Sequence, residues 1–155
     1  MIYIYILALV ILLYGLRQMS QGCLLSLVLL PGTICHETCH YVVGFVLNGV
    51  PSRFTVIPKE TEDGRYVLGS VYFENIRWYN AFFMGMAPLV LLWLAYYLLL
   101  RLVHGTPAWS SLGWLYLTAN LIVSGIPSPA DVKIAWGRSP VGYLLILWGL
   151  YRVFF

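Results

Sequence analysis

Charged side chains are scarce in this chain of 155 residues. Only 10% of its residues are charged, while 61% are hydrophobic, and soluble domains usually carry about 25% charged residues. Between Arg17 and Arg53, Glu37 is the one Asp, Glu, Lys or Arg in the sequence. The net charge of +3 is small and scattered, which argues against a nucleic-acid partner. This composition favours an integral membrane protein in contact with a lipid bilayer.

Cysteine is also rare, and a secretory leader is not indicated. The three cysteines, Cys23, Cys35 and Cys39, lie in one apolar segment and form no extracellular disulfide framework. No Lys or Arg precedes the first apolar run, and no small-residue cleavage pattern follows it. We therefore interpret that run as an uncleaved helix.

The apolar runs predict about five transmembrane helices. A helix needs about 20 apolar residues to cross a hydrocarbon core of about 30 Å. The predicted spans are residues 2–16, 22–49, 78–103, 108–126 and 140–155. Because proline removes a helical hydrogen bond, Pro31-Gly32 predicts a break in the second span. We expect an all-α integral membrane protein with a single membrane domain over residues 1–155.

One polar stretch, residues 51–77, separates the second and third spans. Two β-prone runs flank Asp63-Gly64, a turn-forming pair, which predicts a small β-hairpin at the membrane surface. An exposed strand edge can bind a peptide in extended form, and residues 65–73 are the predicted edge. The candidate substrate-binding residues are Arg65, Val67, Gly69 and Val71. The alternative is a hairpin that only covers the helix bundle.

Basic residues predict the orientation of the spans. If the spans alternate, one side of the membrane receives Arg53, Lys59, Arg65, Arg77, Lys133 and Arg138. The other side receives Arg17, Arg101 and Arg152. Since cytosolic loops carry an excess of Lys and Arg, the richer side is predicted to be cytosolic. The amino terminus and the hairpin are predicted to lie on that side.

Three ionisable residues stand together in HETCH, residues 36–40, within the second span. His36 and His40 are four apart, which places both imidazoles on one helix face, with Glu37 beside them. In H-E-x-x-H the histidines bind zinc and the glutamate takes a proton from the metal-bound water. Ionisable residues at membrane depth cost on the order of 2.5 to 3.5 kcal/mol and generally have a partner. A metal ion would be that partner; a proton-relay cluster is the alternative.

A catalytic zinc site usually has three protein ligands, and Asp131 is the predicted third. The remaining candidates lie in the hairpin or on the opposite predicted side; they are Glu60, Glu62, Asp63, Glu74 and His104. Gly125, Pro127 and Pro129 end a helix shortly before Asp131, and irregular backbone at membrane depth is tolerated where it lines a cavity. The alternative is that Ser128 or Asp131 only caps a short helix.

Two further polar features have competing interpretations. Asn120 lies in the span that leads to Asp131, where its amide is a candidate for stabilising a tetrahedral oxyanion. It can equally hydrogen-bond to a neighbouring helix. Cys35 and Cys39 are also four apart, but they lie about 100° round the helix from the histidines, so packing is their expected role.

Together these motifs resemble the site-2 protease family of intramembrane zinc metalloproteases. The resemblance covers about residues 22–137: a helix with HETCH, a β-rich excursion, a helix with MGMAPL and a helix ending at a proline-flanked aspartate. It implies that three core helices hold His36, His40 and Asp131 as zinc ligands, with Glu37 as general base. It also implies an endopeptidase whose substrates are membrane proteins, cleaved within a transmembrane segment.

The chain departs from this family at one position near the site. Val132 follows Asp131, where the family commonly has glycine, and no PDZ-type domain is present. Two other functions stay open. A metal-binding membrane transporter or sensor would use the same ligands, with Glu37 as a ligand or counter-charge. An inactive protease-like scaffold would bind membrane segments without hydrolysing them.

Overall fold

The computed structural model describes residues 2–19, 23–60, 66–105 and 108–154. Helices dominate, and they are α1 (Ile2–Met19), α2 (Cys23–Val46), α3 (Ala81–Met86), α4 (Val90–Val103), α5 (Ala108–Ser124), α6 (Pro129–Arg138) and α7 (Val141–Phe154). A short 3-10 helix, Ala87–Leu89, joins α3 to α4. The strands are β1 (Pro51–Thr55), β2 (Lys59–Glu60), β3 (Tyr66–Val67) and β4 (Ser70–Phe73). The predicted helical fold with a small antiparallel β element is confirmed.

Helix length supports the five-span prediction only in part. Among the described residues, one continuous helical stretch, Ala81–Val103, is long and apolar enough to cross a membrane, with a mean hydropathy of 2.0. Three shorter apolar helices cover Tyr3–Gln18, Ser111–Ser124 and Val141–Val153. Each predicted span therefore contains a helix, but five membrane-crossing helices are not established by length and composition.

Two neighbouring helices, α5 and α3, flank the polar segment of α2. Tyr116 of α5 donates a hydrogen bond to the Val28 carbonyl, and His36 contacts the Ser124 carbonyl eight residues further along each helix. Residue numbers rise together, so α2 and α5 run parallel. On the other side, Asn80 bonds to Leu47 while His40 bonds to Met84. Residue numbers run in opposite directions here, so α3 is antiparallel to α2.

The predicted break at Pro31-Gly32 is wrong, because α2 continues through Pro31 as one helix. Proline lacks an N–H group, so the Leu27 carbonyl loses its helical partner. Neighbouring side chains stabilise backbone groups in this turn. Tyr116 donates to the Val28 carbonyl, and the Thr33 hydroxyl donates to the Leu29 carbonyl. Such contacts allow a helix to tolerate proline in an apolar setting.

The predicted hairpin consists of two short antiparallel ladders. β1 pairs with β4, with Thr55 opposite Ser70, and β2 pairs with β3, with Lys59 opposite Val67. The predicted Asp63-Gly64 turn lies outside the described residues. Between the ladders, Leu68 packs against the buried cluster that contains Leu13 and Leu29. This contact fixes the hairpin against the helices.

Helix α6 lies very close to α3 at Gly85. A β-carbon built there would stand 2.5 Å from the Asp131 carbonyl oxygen and 2.8 Å from the Ala135 β-carbon. Glycine is thus required for this approach, which brings the start of α6 alongside the helix that contacts His40. The motif MGMAPL, residues 84–89, therefore contributes to positioning Asp131.

Replacing Gly85 by alanine is expected to destabilise the protein. The added methyl group meets backbone that cannot move aside freely, and overpacking of this kind typically costs about 1–3 kcal/mol. The apparent Tm in detergent should therefore fall by several degrees. Gly137→Ala, also in α6, is the control, since nothing lies within 4 Å of a β-carbon there. Equal melting temperatures for the two variants would contradict the close packing.

Candidate metal centre

Three donor groups converge between α2 and α6. The Nε2 atoms of His36 and His40 are 3.2 Å apart. The Asp131 carboxylate faces both, with Oδ2 3.4 Å from His36 Nε2 and Oδ1 3.2 Å from His40 Nε2. Both histidines are buried. These three residues form a group that could hold a metal ion, as predicted from the spacing of the histidines and the position of Asp131.

The backbone determines which nitrogen of each imidazole is available. His36 Nδ1 lies 2.6 Å from the Ser124 carbonyl oxygen, and His40 Nδ1 lies 2.7 Å from the Met84 carbonyl oxygen. A carbonyl oxygen only accepts hydrogen bonds, so each Nδ1 is the donor and carries the proton. A neutral imidazole then presents an unprotonated Nε2. Fixing the tautomer in this way is typical of metal-binding histidines.

These carbonyls are available because the local sequence removes their helical partners. In an α-helix the Met84 carbonyl would accept from residue 88, but Pro88 has no N–H group. The Ser124 carbonyl would accept from the amide of Ser128, but that amide donates instead to Asp131 Oδ2 at 2.7 Å. The Met84 carbonyl accepts instead from the Ala87 amide in a tighter turn, so it is shared between that amide and His40.

The donor geometry fits a tetrahedral metal ion. Two Nε2 lone pairs and a carboxylate that face one point repel one another unless a cation lies between them. At the zinc–nitrogen distance of about 2.0–2.1 Å, two ligands of a tetrahedron lie about 3.3 Å apart. The measured separations are 3.2–3.4 Å. Two imidazoles and one carboxylate suit a first-row transition metal.

Asp131 also caps α6. Ser128 Oγ accepts from the Asp131 amide at 3.2 Å, and the Ser128 amide donates to the Asp131 side chain, which completes a capping box. The two interpretations of Asp131 are therefore compatible. Burial raises the pKa of this carboxyl, whereas the hydrogen bond from the Ser128 amide lowers it. In its ionised form the carboxylate offers a metal ion an anionic ligand.

Glu37 lies beside the donor group without belonging to it. It lines the same cavity of about 570 Å³ as both histidines and Asp131. Gly69 of the hairpin lies against it, because a β-carbon on Gly69 would stand 2.7 Å from Glu37 Cγ. A carboxylate in this position is next to the metal ligands and faces the space that a bound molecule would occupy.

The other predicted site residues separate into two sets. Val67, Gly69 and Val71 line the cavity, while Arg65 lies outside the described residues. Asn120 is fully buried and is not a lining residue; it packs against Gly32, and its Oδ1 has no hydrogen-bond partner in the described part of the chain. This placement offers no support for Asn120 as an oxyanion donor.

Two cysteines and one histidine lie outside the donor group, and the cysteines have the packing role expected for them. Cys35 and Cys39 pack with the buried cluster of Leu91, Ala95 and Leu121. His104 is exposed at the end of α4.

Sequence reasoning missed Arg17. The charge count assigned it to the side opposite Asp131, but both residues line one cavity, and Arg17 Nη1 donates to the Val123 carbonyl at 2.7 Å. It also missed the two carbonyls that hold the histidines. The signal for one of them is present in the sequence, since Pro88 identifies Met84 as a residue whose carbonyl lacks the N–H donor four residues further on.

No model of a known protein family, no curated protein and no solved structure matches this chain. The interpretation of the centre therefore depends on its own geometry.

Removing a donor should abolish metal binding. We expect purified wild-type protein to hold about one transition-metal ion per chain, and His36→Ala and Asp131→Ala to hold almost none, because two remaining donors bind weakly. Metal content measured by mass spectrometry checks this. His104→Ala, which changes an exposed histidine, should match the wild type. Full metal content in Asp131→Ala would contradict its role as a ligand.

Pro88→Ala tests how His40 is held. Alanine restores an N–H group that competes for the Met84 carbonyl, so His40 loses part of its support. Loss of such supporting hydrogen bonds typically lowers metal affinity about 10–100-fold. Competition with a chelator measures this affinity. Pro140→Ala, at an exposed position before α7, is the matched control; equal affinities for both variants would exclude a role for Pro88.

Proposed function

We propose that this protein is an intramembrane zinc endopeptidase that cleaves transmembrane segments of other membrane proteins. One observation carries the proposal. Two tautomer-fixed histidines and an aspartate converge on a single point, and a carboxylate outside that donor set, Glu37, lines the same cavity. Metal ligands with an adjacent acid–base group are the arrangement that metal-assisted hydrolysis requires.

The distribution of polar and apolar side chains supports a membrane location. Large apolar side chains are widely exposed on the helices, with Trp93 of α4 at 78% and Val153 of α7 at 79%. Soluble monomers rarely expose such extended apolar surface. The interior instead contains polar groups, including His36, Glu37 and Asn120. This arrangement suits a multi-pass protein surrounded by lipid, with the predicted five spans and a cytosolic amino terminus.

The chemistry follows from the position of Glu37. When bound, zinc would supply Lewis acidity that lowers the pKa of a water molecule toward about 7. The Glu37 carboxylate accepts the proton of the attacking water and then delivers it to the leaving amide nitrogen. His36, His40 and Asp131 hold their orientation throughout, because backbone carbonyls and the capping box constrain them.

The hairpin offers a way to bind substrate. Val67, Gly69 and Val71 line the cavity, and the backbone at Gly69 lies in contact with Glu37. β4 pairs only with β1 within the described residues, so its second edge can add an extended peptide strand. A substrate helix must unwind to expose its carbonyls, and pairing with this edge would hold the unwound segment beside Glu37.

Metal transport or sensing by the same three ligands is the principal alternative. In that function Glu37 would contribute to holding the ion, whereas in a peptidase it transfers protons. An inactive scaffold is the third candidate function, and it would bind membrane segments without hydrolysing them. The substitution of Glu37 distinguishes these functions.

Glu37→Gln should keep its metal and lose proteolysis. General acid–base catalysis typically contributes about 10²–10⁴-fold to rate, so cleavage of single-span segments in proteoliposomes should fall by at least 10²-fold. Glu74→Gln, an exposed carboxylate of the segment after β4, is the control and should cleave normally. Loss of the metal from Glu37→Gln would favour a carrier, and absence of cleavage by metal-loaded wild type would favour the scaffold.

A further inference from the structure

A cationic side chain from α1 reaches the candidate metal centre. Arg17, in the last turn of α1, lines the cavity that also contains Glu37 and Asp131. Its guanidinium experiences electrostatic attraction from both carboxylates. Among the described residues that line this cavity, no other is a lysine or arginine. The centre therefore combines acidic groups and neutral imidazoles with one permanent positive charge.

The position of Arg17 is coupled to that of His36. Its Nη1 donates to the Val123 carbonyl, and the next carbonyl along the chain, that of Ser124, accepts from His36 Nδ1. Pro127 has no N–H group, so the Val123 carbonyl has no helical partner. The two site residues thus bond to adjacent peptide units at the carboxyl end of α5. A single turn of backbone places the arginine and the histidine in fixed relation.

A tether between α1 and α5 does not by itself call for a charge. A neutral donor such as glutamine would satisfy the Val123 carbonyl without the cost of placing a cation in an apolar environment. Arginine has five N–H donors in a rigid fork, so it can bond to Val123 and to a second oxygen at once. The Glu37 and Asp131 carboxylates balance this charge, but its position on the cavity wall also calls for an explanation from the chemistry of the cavity.

Peptide hydrolysis supplies one. Attack by water places negative charge on the carbonyl oxygen of the scissile bond, and donors aimed at that oxygen usually provide a large part of the rate enhancement. Asn120, the amide predicted for this role, does not line the cavity. Arg17 does, and it donates to the carboxyl end of α5, which also accepts the hydrogen bond from His36.

We propose that Arg17 is a further catalytic residue, which binds the oxyanion that develops on the scissile carbonyl of the substrate. This assignment rests on the proposed endopeptidase function. In the step, the water oxygen bonds to the carbonyl carbon, the C=O π electrons move to the oxygen beside Arg17, and Glu37 holds the proton. Collapse returns these electrons, breaks the C–N bond and passes the proton to the leaving nitrogen.

Three substitutions of Arg17 separate charge from tethering. Arg17→Gln keeps a donor for Val123 without charge, Arg17→Lys keeps the charge, and Arg17→Met removes both. Arg101→Gln is the matched control, because Arg101 is exposed and bonds to Tyr97 on the surface of α4. All are compared with wild type in metal content, kcat and affinity for two peptides. One carries a phosphinate, a tetrahedral anion, at the scissile position; the other carries an uncharged alkene there.

We expect Arg17→Gln and Arg17→Met to retain about one metal ion and to lose about 10²–10³-fold in kcat, the range for loss of one oxyanion donor. Affinity for the phosphinate should fall in parallel across the series, with Arg17→Lys intermediate, while affinity for the alkene stays constant. A tether alone predicts normal kcat and phosphinate affinity in Arg17→Gln, and that result overturns the assignment. If the wild type cleaves substrate and the Arg17 variants have the same kcat, the oxyanion assignment is wrong and the proposed peptidase function is retained. If metal-loaded wild type neither cleaves substrate nor binds the phosphinate peptide, both proposals are wrong.

Discussion

Backbone carbonyl groups at the ends of helices hold this protein's polar centre together. In an apolar interior, an unpaired carbonyl costs several kcal/mol, so each one needs a donor. His36 donates to the Ser124 carbonyl and Arg17 to the Val123 carbonyl, while His40 donates to the Met84 carbonyl, which also accepts from the Ala87 amide. The ends of α3 and α5 therefore determine where the imidazoles stand and which tautomer they adopt. The arrangement of the donor atoms therefore depends on the positions at which α3 and α5 end.

Much of this arrangement could be predicted from the sequence. The apolar runs indicate the helices, and the four-residue spacing in HETCH requires that His36 and His40 share a face. Asp131 follows from the scarcity of acidic residues outside the hairpin. These features depend on local periodicity and composition, which a sequence displays directly. The same is true of the ladders in residues 51–73, where β-prone runs face each other across a turn-forming pair.

Other features depend on contacts between distant segments. α2 continues through Pro31, and in the same turn Tyr116, 85 positions later in the chain, donates to the Val28 carbonyl. Arg17 and Asp131 line one cavity, although alternation of the spans assigns them to opposite sides of the membrane, because alternation takes no account of tertiary contacts between helices. Asn120 faces Gly32 and not the cavity because α2 and α5 approach closely at that level. None of these contacts is visible in a pattern along one segment.

The dual use of Asp131 links ion binding to local folding. A carboxylate has about four lone-pair sites, so Asp131 can stabilise the first turn of α6 and face the imidazoles simultaneously. A contact that orders this turn before an ion binds reduces the entropy lost on binding. By reciprocity, a bound ion would stabilise the turn by the same free energy. Since α6 also packs on α3 at Gly85, an ion bound by His36, His40 and Asp131 would stabilise the contact of α6 with both α2 and α3.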